Sequence, residues 1–122
     1  MSTPNVTSPP AGPSIPLSAD VRSAYENLRK QIQTAIDSTM DEAALEALNP
    51  QWYEVDQVLT KDDEYKLTSD TAIFAALKTQ IDSTNQGLKT LRLEIEAIAS
   101  HFAMAGTVIA AIDKLLSLIP GA

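Results

Sequence analysis

A chain of 122 residues with 44% apolar and 20% charged residues suits one domain with an aliphatic core, since its aromatics are one Trp, two Phe and three Tyr. The absence of cysteine excludes disulfides, zinc–thiolate centres and thiol catalysis. The net charge of −7 is accounted for between Asp41 and Asp70, where nine acids face only Lys61 and Lys66, so no basic field exists to attract nucleic acid.

Pro4, Pro9, Pro10, Pro13 and Pro16, with Ser, Thr and Gly between them, leave the opening residues short of both backbone donors and apolar surface. This predicts a disordered tail over 1–17 and a single helical domain over 18–122. Neither a cationic start nor a continuous apolar run precedes Ser18, which predicts a cytoplasmic protein or one exported without a cleaved signal. Asn5-Val6-Thr7 fits a glycosylation tripeptide that is common by chance.

Ser18 is an N-cap candidate, and Val21, Tyr25, Leu28, Ile32 and Ile36 follow at helical spacing, predicting a helix over 19–38. Its other face, with Arg22, Glu26, Arg29, Lys30 and Gln33, reads as solvated. Thr39-x-x-Glu42 reads as a capping box for a short helix over 41–48. Asn49-Pro50 then opens another helix to about Thr60, in which Trp52 shares an apolar stripe with Leu48, Val55 and Leu59 and is expected in the core. Lys61-Asp62-Asp63-Glu64 lacks apolar periodicity and is expected to be the loop that reverses the chain.

Beyond caps at Thr68, Ser69 or Asp70, one stripe keeps its phase through Ile81, Thr84, Leu88, Leu91, Ile95, Ile98, Phe102, Ala105, Ile109, Ile112 and Leu116. A continuous helix over about 70–119, ended by Pro120-Gly121, would be about 70 Å long. Ser83-Thr84-Asn85-Gln86-Gly87 is the one place where composition argues for a break. The fold expected is all-α, a helical hairpin or small bundle dominated by that C-terminal helix.

Candidates for chemistry fare poorly. Asp82 to Gly87 resembles the start of a calcium loop, but the twelfth position is Leu93 rather than a bidentate acid. His101 has no carboxylate three or four residues away. The adjacent acids Asp62, Asp63 and Glu64 have the charge to attract a divalent ion or a basic partner, but adjacent acids in a loop read first as a solvated face. No catalytic residue, cofactor site or metal site is assigned.

The interaction seam expected is Leu88, Leu91, Ile95, Ile98, Phe102, Ala105, Ile109, Ile112 and Leu116, backed by a second face of Leu93, Met104, Val108, Leu115 and Leu118. The shorter arm over 18–60 cannot cover both. The reading that follows is a non-enzymatic helical assembly or adaptor protein, either a homo-oligomer or one that docks a helical partner. Two alternatives remain. Residues 97–119 have the length to enter a bilayer, as in a pore-forming or translocator-like protein, and a flexible start followed by a hairpin also suits a secreted filament or needle-like subunit.

Overall fold

A computed structural model describes residues 15–98 and 103–119 as four helices: α1 (Ala19–Ser38), α2 (Glu42–Thr68), α3 (Thr71–Ile98) and α4 (Ala105–Ser117). Residues 1–14, with the glycosylation tripeptide, and His101 and Phe102 lie outside the described residues. The all-α fold read from the sequence is therefore present, as an antiparallel bundle rather than a hairpin with one dominant rod. Each helix packs on its neighbour in the chain, and α4 closes the ring by returning along α1.

Local chemistry sets the helix starts. Ser18 caps α1 by accepting the Val21 N–H at 3.3 Å, as its position predicts. At α2 the expected capping box is replaced: Asp41 accepts the Ala44 N–H at 3.1 Å, while the Thr39 hydroxyl accepts the Asp41 N–H and shapes the turn leaving α1. Ser69, in the left-handed region at φ 52°, ends α2 by donating its N–H to the Tyr65 carbonyl. Asp70 then accepts the Ala72 N–H at 2.7 Å and starts α3.

Three boundaries differ from the sequence reading, each because tertiary contacts override a local signal. The break expected at Asn49-Pro50 is absent: α2 runs through the exposed Pro50, with Leu48 before it and Val55 after it fully buried in the core. The loop expected at Lys61 to Glu64 is helical, because Asp62 is drawn into the core. Its carboxylate accepts the Leu17 N–H at 2.9 Å, an Arg22 N–H at 2.7 Å and a Lys66 N–H at 3.0 Å. That knot also extends the ordered chain at its start: Leu17, assigned to the tail on composition, is buried with the core.

The third correction concerns the C-terminal third. The helix does not run on to 119; α3 ends at Ile98, and α4 begins at Ala105 and packs back beside α1 and α3. The polar step Ser83 to Gly87, where composition suggests a break, stays helical with Thr84 and Asn85 turned into the bundle and Ser83 and Gln86 exposed. Thr84 and Asn85 are buried, and the buried Tyr25 hydroxyl donates to Asn85 Oδ1 at 2.8 Å across the bundle diagonal. Burial pushes the Tyr25 hydroxyl well above its ordinary value, with the bond to Asn85 pulling the other way.

Candidate docking surface

Most of the predicted seam is spent inside the chain. Leu88, Leu91, Ile95, Ala105 and Ile112 are buried, whereas Ile98, Ile109 and Leu116 are half-buried and packed against the core; Phe102 lies outside the described residues. The second face divides as well. Val108 and Leu115 are fully buried, so the inward face of α4 is turned relative to the seam, and Met104 and Leu118 pack at its margin. Leu93 alone of that face stands out in solvent. Trp52 is half-buried against the core, on the stripe assigned to it.

What stays exposed is distributed unevenly. The large apolar side chains left in water are Met40 (97% exposed), Leu67 (86%), Leu93 (66%), Tyr53 (57%) and Phe74 (40%). All belong to α2, to α3 or to the turn leading into α2. Among the described residues α1 and α4 contribute none; the outward side of α4 consists of Gly106, Thr107, Ala110, Asp113, Lys114 and Ser117. Open depressions of about 410 and 420 Å³ between α1 and α4 share Asn27 and Lys114 and are lined by small and polar side chains, with the half-buried Leu118 in the first.

The α2–α3 pair runs antiparallel from end to end. At the turn, the rings of Tyr65 and Phe74 meet edge to face with centroids 5.6 Å apart. Mid-way, Gln80 Nε2 donates to Glu54 Oε1 at 2.9 Å and to the Thr84 hydroxyl at 3.0 Å. Further up, Gln51 presses on Gly87 so closely that a Cβ there would sit 2.7 Å from its Oε1, an atom with no hydrogen-bond partner among the described residues. At the open end, Ala43, Glu46, Ala47, Glu94, Ala97 and Ile98 line a depression of about 340 Å³.

Gly87 has a consequence for stability. Gly in a helix interior costs about 1 kcal/mol relative to Ala, but here a methyl would collide with the end of the Gln51 side chain. Gly87→Ala is therefore expected to change stability little by itself. In a Gln51→Ala background it should raise the unfolding free energy by about 1 kcal/mol. Urea titration of the four chains measures the coupling, and equal effects in both backgrounds would mean that Gln51 does not occupy that space.

Ion pairing separates this helix pair from the others. Arg22 joins α1 to Asp62 and Asp63 of α2 at 2.7 Å each, and Arg29 joins α1 to Asp56. These two arginines, read from the sequence as part of a solvated face, are cross-helix clamps. The Arg22 guanidinium is held above its ordinary value first by Asp63 and then, against the cost of burial, by Asp62 and Glu26. Between α3 and α4, Arg92 meets Asp113 through two N–H···O bonds of 2.7 and 3.2 Å, and Asp113 keeps the guanidinium raised. Among the described residues no salt bridge joins α2 to α3, and Glu46 and Glu94 line one depression with no salt bridge to either.

Among the described residues no cluster of acids or histidine is arranged to hold a metal ion, and no helix is long and apolar enough to cross a membrane. The stretch 97–119, of bilayer length as one rod, is divided between the end of α3 and α4, whose 13 residues reach about 20 Å. No protein-family model, curated protein or solved structure matches the chain.

Proposed function

We propose that this protein is a non-enzymatic helical adaptor whose α2–α3 hairpin docks a helical protein partner. One observation carries the reading: among the described residues, the large apolar side chains exposed to water all lie on that hairpin or at its entry, while the exposed side chains of α1 and α4 are small or polar. Exposed large hydrophobics held on one side of a molecule cost solubility unless a partner covers them. We put the docking element on α2 and α3 instead of the C-terminal seam, because Leu88, Leu91, Ile95, Ala105 and Ile112 of that seam are buried within the chain.

A photo-crosslinking amino acid at Tyr53 or Leu93, compared with the same group at Asp20 or Ser117 on the α1–α4 side, tests this in the native cell. Discrete covalent adducts are expected from the first pair and none from the second. An adduct of twice the chain mass would identify a second copy as the helical partner. Equal labelling from both sides, or none from either, would contradict a docking role for the hairpin.

A further inference from the structure

We infer that the depression between the start of α2 and the end of α3 is the seat of a basic amphipathic helix on another protein, an assignment that rests on the docking role proposed above. Three features of this place converge. It is lined by Ala43, Ala47, Ala97 and Ile98, short or half-buried apolar side chains that let another helix approach closely and bury anchors in about 340 Å³. Glu46 from α2 and Glu94 from α3 also line it, two acids of the same sign at one depression.

Charge arrangement supplies the third feature and names the occupant. Arg22 and Arg29 clamp α1 to α2, and Arg92 clamps α3 to α4, so acids at those contacts meet cations of the same chain. This depression receives none among the described residues. Asp41 and Glu42 stand at the same end of α2, adding to the negative potential. A lysine or arginine on each flank of an apolar helix would pair with Glu46 and Glu94 while its leucines cover the alanines. An acidic or purely apolar helix would leave both carboxylates facing like charge or a desolvated surface.

The full-length chain, isotopically labelled, is titrated with a synthetic helix of about five turns carrying leucines at i, i+3, i+4 and i+7 and lysines on both flanks. The comparison probe has glutamates in place of the lysines. Binding of the lysine helix with resonance shifts centred on Ala43, Ala47 and Ala97 is expected, with no binding of the glutamate helix. Glu46→Lys should weaken binding about fivefold, and Glu46→Lys with Glu94→Lys at least about tenfold. About 1 M salt, where the Debye length is about 3 Å, should weaken it as well. Both substitutions lie on the surface, and an unchanged far-ultraviolet circular dichroism spectrum would establish that the fold survives them. Shifts centred on Tyr53, Leu67 and Phe74 instead would overturn this seat while leaving the docking role of the hairpin standing. Equal binding of both probes, or of neither, overturns the inference outright, and the crosslinking comparison then decides the docking role separately.

Discussion

Ile112→Ala is expected to lower the free energy of unfolding by about 2–5 kcal/mol, the range for removing a buried aliphatic side chain whose neighbours relax only in part. Ile112 lies on α4 with no solvent exposure, in the core shared with Leu28, Leu88, Ile95 and Leu115. The dependence on concentration matters as much as the size. If that face of α4 were covered by another molecule, both the midpoint and the loss would shift with protein concentration. Burial inside one chain predicts a thermal midpoint that falls by the same amount at dilute and concentrated protein. Scanning calorimetry over a hundredfold range of concentration reads both quantities.

Asp62→Ala is the second large effect expected, at about 2–4 kcal/mol for removing the acceptor of a buried, charge-assisted cluster. The side chain is fully buried and accepts from the Leu17 N–H, Arg22 and Lys66, which ties the entry of α1 to α2. Arg22 and Lys66 retain side-chain exposures of 21% and 43%, so both stay hydrated when the acid is removed. The cost comes from the lost charge-assisted hydrogen bonds and from a Leu17 N–H left without its partner. Asp62→Asn keeps an acceptor and should cost less than half as much.

The same carboxylate predicts an acid dependence. Burial pushes it up, but the Leu17 N–H, Arg22 and Lys66 outweigh burial and hold it below the ordinary carboxylate range. A depressed folded-state value means that the folded form binds the proton less readily than the unfolded form does. The contribution is therefore full well above the unfolded value of about 3.9 and is lost as pH falls below that value through the folded one. Urea unfolding from neutral pH to about pH 3 should show a fall in stability that Asp62→Asn flattens. An identical fall in both proteins would mean that other acids carry it.

The parts of this fold that can be read from the sequence are those fixed within a few residues. Helix α1 matches its predicted bounds because Ser18 caps it and the spacing from Val21 through Ile32 is uninterrupted. Helix α2 could not be read whole. Pro50 and the acids at 62–64 are local signals for breaks, while the clamp of Asp62 to Arg22 acts across 40 residues. Conversely, the separation of α3 from α4 hides in a stripe that keeps helical phase across it, and phase cannot tell one rod from two that pack side by side.

The candidate surface was the least legible part. Leu93 and Val108 read alike as members of a second apolar face, yet one is in solvent and the other fully buried. The depression sets Ala43 and Ala47 against Ala97 and Ile98, a pairing that depends on the register of α2 against α3. That register is fixed by Glu54 with Gln80 and by Gln51 with Gly87, and an interruption expected at Pro50 conceals it. The clustering of acids was visible, but not which of them find arginines and which do not.

A distance measurement tests most directly whether the apolar C-terminal third folds back within its own molecule. The chain has no cysteine, so spin labels attach only at Asn27→Cys and Ala110→Cys. These positions line one depression between α1 and α4, where packed helix axes lie about 10 Å apart. Strong short-range dipolar broadening is expected, and it should persist when labelled protein is diluted into excess unlabelled chain. Labels about 35 Å or more apart, as one unbroken helix beyond Thr71 would place them, or broadening that disappears on dilution, would contradict the account.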